Sequence, residues 1–145
     1  MAKRRQVISR VFVDSSVLFT AINSPSGGSA KLFIIKKMKL LVCKVVLTEV
    51  ERNVRQKLRS YHLERFFNLV ENLEVVVGKP DKNLVRQAEG VTVKKDAVIL
   101  AEAKRVKADY LVTLDRKHLL TEKADRWLKP KKVVTPKMLL ERLGN

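Results

Sequence analysis

Apolar and polar positions along the chain alternate between short extended runs and longer helical ones. Residues 7–13 alternate apolar with polar and then run apolar, which predicts a strand ending at Asp14. Val17, Leu18, Ala21 and Ile22 recur at helical spacing and predict a helix over residues 15–23. Residues 24–28 have the Ser, Pro and Gly chemistry of a loop, and Ser29 is then read as the cap of a helix to about Met38. Residues 39–43 read as a buried strand. Thr48 reads as the N-cap of a helix to about Arg59, with Glu49 and Glu51 in its first turn, where the macrodipole favours acids. Leu63, Phe66, Phe67 and Val70 mark one side of a helix over residues 61–73. A short strand over 74–77 closes at Gly78. Pro80 or Asp81 opens a helix that Gly90 ends. A mostly apolar and therefore buried helix runs from Asp96 through Val106. Residues 110–114 form a strand ending at Asp115, residues 131–134 a last strand, and Pro136 opens a last helix to Leu143. Short apolar strands alternating with helices imply a parallel α/β sheet covered on both faces.

Composition narrows this picture. A chain of 145 residues suits one domain over 1–145, and an apolar fraction of 46% is ordinary for a folded protein. The longest apolar runs, such as residues 40–43 and 75–77, are far too short to cross a bilayer. No long apolar stretch follows the opening Met-Ala-Lys-Arg-Arg, so a cytoplasmic protein without a membrane partner is expected. The lone Cys43 leaves no internal disulfide and no cysteine-based zinc site, and it reads as a small core residue. Charge changes the picture most. The chain carries 31 Lys+Arg against 15 Asp+Glu, a formal net charge of +16. Such self-repulsion points to an anionic partner, and nucleic acid is the usual one. Local basic clusters stand at Lys3-Arg4-Arg5, at Lys36, Lys37 and Lys39, and over residues 129–132.

Against this basic background the positions of the acids are informative. Asp14 and Asp115 each follow a strand, and Glu49 and Asp96 each sit at a predicted helix start. In a parallel sheet these features share one edge, outside the carboxyl ends of the strands, where ligands bind. Taken singly, each acid has an ordinary explanation as a cap or a dipole partner. Gathered together, four carboxylates repel and need a compensating cation, and hard oxygen donors select Mg²⁺ or Mn²⁺.

These segments resemble the PIN-domain family of ribonucleases. Val-Phe-Val-Asp-Ser-Ser-Val-Leu at 11–18 resembles the family's first motif, and Leu-Thr-Glu-Val at 47–50 the second. Asp96-Ala97 followed by Ala101 and Ala103 resembles the third. Ala-Asp-Tyr-Leu-Val-Thr-Leu-Asp at 108–115 resembles the fourth, the most specific of the set. The matches keep the family's order over essentially the whole chain, and Val133-Val134-Thr135-Pro136 before a short helix fits the usual ending. The resemblance implies three α/β/α layers around a five-stranded parallel sheet of order 3-2-1-4-5. It implies that Asp14, Glu49, Asp96 and Asp115 are the catalytic and metal-binding acids, with Ser16 and Thr113 lining the site. It also implies cleavage of RNA to a 5′-phosphate and a 3′-hydroxyl.

The chain departs from the pattern of many members, which carry extra acids near the third and fourth motifs. Here Lys94 and Lys95 precede Asp96, and Arg116 and Lys117 follow Asp115. These four cations are candidates for guiding a phosphate backbone. His118 is a candidate phosphate contact, although two isolated histidines, His62 and His118, make no zinc site and read as structural or surface residues. Phe19 reads as core, and Trp127, beside Arg126 and Lys129, as core or a stacking platform for a base. Expected partners are RNA, single-stranded for preference, a second copy of the chain, and an antitoxin or an RNA-processing protein. Two readings compete with the nuclease: a non-catalytic RNA-binding PIN domain in a processing complex, and a toxin held by an antitoxin. A nucleotide-binding or receiver-like domain fits less well, since no Gly-x-Gly-x-x-Gly follows the first strand and no Gly-x-x-x-x-Gly-Lys-Ser/Thr occurs.

Overall fold

The computed structural model of the chain describes residues 8–143. Val7 of the expected first strand and the Lys3-Arg4-Arg5 cluster lie outside the described residues. Five strands form one parallel sheet: β1 (Ser9–Val13), β2 (Met38–Val42), β3 (Glu74–Val75), β4 (Tyr110–Val112) and β5 (Lys132–Val134). Their order is β3-β2-β1-β4-β5, as the resemblance implies. The helices are α1 (Ser15–Asn23), α2 (Gly28–Lys31), α3 (Lys44–Lys57), α4 (Ser60–Val70), α5 (Lys82–Glu89), α6 (Lys94–Arg105), α7 (Glu122–Leu128) and α8 (Pro136–Arg142), and they cover the sheet in a three-layer α/β/α arrangement. Val11, Phe12 and Val13 are wholly buried, as a central strand covered on both faces requires. β1 pairs with β2 on one side and β4 on the other, so the strand order reverses between β1 and β4. That reversal opens a crevice at the carboxyl ends of these two strands. Among the described residues no helix is long and apolar enough to cross a membrane.

Several boundaries differ from the sequence pattern for physical reasons. The helix expected from Ser29 to Met38 is one turn, α2, followed by a 3-10 turn at Leu32–Ile34. Gly27, not Ser29, precedes it, and Ser29 is buried. The β-branched Ile34 and Ile35 disfavour continuation, and Met38 is already paired with Ser9 of β1. α3 begins at Lys44 and not after Thr48, because Val46, Val50 and Val54 form one buried stripe at helical spacing. Thr48 therefore caps nothing, and Glu49 lies beyond the first turn. α6 begins at Lys94, so Asp96 is inside its first turn and is not its N-cap. The strand expected to end at Asp115 stops at Val112. α7 occupies a segment to which the hydrophobic pattern assigned no element. Asp81 and Pro136 open α5 and α8 as expected, and Cys43 is buried at the end of β2.

Candidate active site

The acids converge on the crevice through four separate elements. Asp14 follows β1 directly, and its backbone N–H donates to the Val112 carbonyl of β4 at 3.1 Å. This bond extends the ladder by one residue and sets Asp14 beside Thr113. Asp14 is only 3% exposed. Its Oδ2 accepts from the Ser16 hydroxyl at 2.7 Å and the Thr113 hydroxyl at 2.7 Å. Each hydroxyl oxygen is itself held: Ser16 Oγ accepts the Leu114 N–H at 3.0 Å and Thr113 Oγ1 the Asp115 N–H at 3.0 Å. Backbone amides of the β4 exit thus orient two hydroxyls whose protons both serve one carboxylate. Bonds to a charged acceptor are the strong kind, and here they leave Oδ1 with only a long 3.4 Å contact from Ser15.

Asp115 sits in the turn after β4. Its Oδ1 accepts the backbone N–H groups of Lys117 at 3.1 Å and His118 at 2.9 Å. That leaves Oδ2 for the crevice. Asp96 reaches the same place from the first turn of α6 and is 7% exposed. Burial, with the negative charges of Asp115 and Asp14 beside it, pushes its carboxyl from the ordinary 3.8 up to about 6. Glu49, on α3, is paired with Lys95 Nζ at 3.2 Å. This hydrogen bond and charge raise the Lys95 pKa, with smaller contributions from Asp96 and Asp14, so the pair stands at the rim of the same cluster.

Asp14 precedes α1 yet makes no side-chain capping bond, and the cap of α6 is Val93, with Asp96 uninvolved. Glu49 is past the first turn of α3. Only Asp115 makes the local turn bonds that the sequence alone would suggest. Capping therefore does not account for three of the four acids. Gathering like charges costs free energy, and a site that retains such a cost is characteristically one with chemistry to perform.

Lys94, Lys95, Arg116 and Lys117 are all exposed around this crevice. The other basic clusters among the described residues lie elsewhere: Lys36 and Lys37 precede β2, Lys39 lies within it paired with Glu74, and Lys131, before β5, is held by Asp109 at 2.9 Å. Trp127 is resolved as packing: Lys104 Nζ lies 4.0 Å from its ring centroid and donates to its carbonyl. Phe19 packs against the core as expected, and His62 lies on α4, stacked on Tyr61.

His118 reads from the sequence as a phosphate contact or a structural or surface residue, not as a neighbour of the acids. Its Nδ1 lies 3.5 Å from Asp96 Oδ2 and 3.5 Å from Asp115 Oδ2. Ligand atoms of Asp96, Asp115 and His118 all fall within 4.8 Å of one another. The spacing of three residues from Asp115 was the available signal, but the approach to Asp96 depends on how α6 meets the turn after β4. A recess of about 410 Å³ adjoins His118, lined also by Lys117, Thr121 and Lys123. A larger cavity, about 1150 Å³, lies at the opposite sheet edge among Ile8, Arg10, Ile34 and Met38, away from every acid of the cluster. The acids and not the volume therefore locate the site.

A family model for the PIN domain matches residues 11–135. The chain belongs to the PIN-domain family. A comparison with curated proteins gives no match. Among solved structures the PIN fold is similar to that of VapBC2 from Rickettsia felis bound to a DNA fragment from their promoter, at 13% identity and TM-score 0.66, covering 87% of this chain and 98% of that one. It is similar to PAE2754 from Pyrobaculum aerophilum at 17% identity and TM-score 0.64, covering 94% and 90%. It is also similar to VapC20 of Mycobacterium tuberculosis, described as a Sarcin-Ricin loop cleaving toxin, at 16% identity and TM-score 0.57, covering 74% and 91%. At such identities the likeness establishes the fold.

Proposed function

We propose that this PIN domain is a cytoplasmic, metal-dependent endoribonuclease acting as one domain, with Asp14, Glu49, Asp96 and Asp115 as its catalytic acids. The observation that carries this reading is the gathering of Asp14, Asp96 and Asp115 at the β1/β4 crevice, with Glu49 linked to them through Lys95, in a chain with net charge +16 where capping explains only Asp115. The donor set fits a divalent cation: Asp115 and Asp14 act on Asp96 through their negative charges, and Asp14 Oδ1 and Asp115 Oδ2 accept no strong hydrogen bond. Asp14, Asp96 and Asp115 would hold one Mg²⁺ or Mn²⁺, and Glu49 would hold a second or orient the attacking water. Bound there, the metal supplies a more acidic water, a polarised phosphodiester and stabilisation of the leaving 3′-oxygen.

The protein's own groups do the positioning. Ser16 and Thr113 keep Asp14 in one orientation, so that no reorganisation is needed during the reaction. Glu49, steadied by Lys95, would orient the attacking water or help to hold a second ion. Lys94, Lys95, Arg116 and Lys117 hold the backbone phosphates on either side of the scissile bond, and single-stranded RNA suits an open crevice. A labelled single-stranded RNA incubated with Mg²⁺, Mn²⁺ or EDTA tests the reading, with Asp14→Asn as control. Metal-dependent cleavage lost in the control supports it. Salt-sensitive binding without cleavage in any metal would replace it with a non-catalytic RNA-binding or RNA-processing role.

A second reading, a toxin held by an antitoxin, is favoured by the solved neighbours, several of which are VapBC or related toxin-antitoxin complexes. It shares the same chemistry and adds a partner. A gene for a small acidic protein beside this one, whose product binds the chain and blocks cleavage, is its test. A homodimer is proposed with it, and sedimentation of the purified chain decides that point.

A further inference from the structure

The segment after Asp115 holds one histidine more rigidly than a surface role requires. The His118 backbone N–H is fixed to Asp115 Oδ1 at 2.9 Å, and its carbonyl accepts the Thr92 hydroxyl at 2.6 Å. Thr92 belongs to the loop that leads into α6, the helix carrying Asp96. The two anchors tie the residue to Asp115 and to the loop that precedes Asp96. Leu119 and Leu120 add backbone bonds to the Asp115 carbonyl, which close the turn. The His118 main chain is thus placed independently of anything the imidazole itself binds.

The distances to the acids are informative. At 3.5 Å from each Oδ2, Nδ1 stands beyond the roughly 2.7–2.9 Å of a charge-assisted hydrogen bond. Neighbouring donors around an octahedral ion with bonds of about 2.1 Å stand roughly 3 Å apart. The two 3.5 Å separations are a few tenths of an ångström wider than that edge. Asp115 Oδ1 is occupied by two amides, so Oδ2 is the oxygen it has to offer, and that is the oxygen nearest His118.

We propose that His118 is a direct ligand of the metal held by Asp96 and Asp115, and that its imidazole makes the site prefer Mn²⁺ and other transition ions over Mg²⁺. This rests on the nuclease reading above and deepens it. Mg²⁺ is a hard ion that binds through carboxylates, phosphates and retained waters, whereas imidazole nitrogen suits first-row transition ions. An all-carboxylate site would leave the two ions much closer in affinity.

The test has a readout that does not depend on catalysis. The intact chain is loaded with Mn²⁺ and its electron spin echo envelope modulation is recorded, with histidine isotope-labelled at nitrogen. The chain has two histidines, and His62 lies on α4 outside the cluster, so a histidine nitrogen coupled to bound Mn²⁺ identifies His118. The expected result is that coupling, its loss in His118→Leu, and a fall of about tenfold or more in Mn²⁺ affinity with a smaller change for Mg²⁺ in competition titrations. His118 is partly exposed and its main-chain bonds survive substitution, so the variant is expected to fold; the coupling in the unmutated chain stands by itself if it does not. Mn²⁺ bound without nitrogen coupling would overturn the ligand assignment and leave the metal-dependent reading intact. No Mn²⁺ binding at all would overturn both.

Discussion

Replacing Asp96 by Asn should make the metal-free protein more stable while destroying its response to metal. Asp96 is buried beside Asp115 and Asp14, and its carboxyl titrates near 6 in place of the ordinary 3.8. The folded state therefore binds this proton more tightly than the unfolded chain does. The sign follows directly: stability conferred by the protonated form is present below about pH 4 and is lost as pH rises through about 6. At about 1.4 kcal/mol per pH unit, the ionised side chain costs the fold on the order of 3 kcal/mol at neutral pH. Asn keeps the shape and removes the charge. In EDTA near pH 8 the variant should melt roughly 5–10 °C above the unmutated chain, by the usual scaling for a domain of this size. Near pH 4, where Asp96 is protonated in the fold and only partly ionised in the unfolded chain, most of the advantage should disappear. Adding Mn²⁺ should raise the melting temperature of the unmutated chain and leave the variant unmoved. Differential scanning calorimetry at the two pH values, with and without metal, reads all of this. A variant that is no more stable than the parent near pH 8, or that gains equally near pH 4, would refute the claim that charge crowding is stored at this site.

Thr113→Val deletes a hydroxyl that joins the Asp115 amide to buried Asp14, so urea unfolding should show a loss of about 2–3 kcal/mol; a loss below about 0.5 kcal/mol would mean that the hydroxyl pair does not matter to the fold. Lys95→Glu frees Glu49 of its partner and reverses a charge at the crevice rim, and it should weaken RNA binding and lower the salt slope by about 1–2; an unchanged slope in fluorescence titrations would remove Lys95 from the RNA path. Asp109 accepts the Arg10 amide and Lys131 at the opposite sheet edge, so Asp109→Ala should cost roughly 1–2 kcal/mol of stability and leave cleavage unchanged in kcat; a drop in kcat of the folded variant would contradict the separation of the two edges.

The strands were legible because their apolar runs end where the polar crevice begins. Asp14 and Asp115 could be placed at strand exits from that change alone. The helix starts were harder, because Ser29, Thr48 and Asp96 are all good capping residues that cap nothing here. The structure begins those helices after Gly27, Cys43 and Val93, none of which makes a side-chain cap. Burial of Val46, Val50 and Val54 outweighs a capping bond of about 1 kcal/mol. Caps do form at Asp81 and Thr135, whose helices the pattern showed, and at Thr121, whose helix α7 it did not. Family resemblance supplied the strand order, which no local pattern contains. The role of His118 was not legible, since its approach to Asp96 joins two elements distant in sequence through the tertiary fold. The same is true of the Glu49–Lys95 pair, which brings α3 to the start of α6.

The most direct test of the proposed chemistry is cleavage of a labelled single-stranded RNA by the purified chain beside Asp14→Asn, with Mn²⁺, with Mg²⁺ and with EDTA. The nuclease reading predicts cleavage in Mn²⁺, products bearing a 5′-phosphate, none in EDTA, and none from an Asp14→Asn protein that retains its fold by circular dichroism. Undiminished cleavage by that variant, or cleavage that persists in EDTA, would contradict a metal centre built on Asp14.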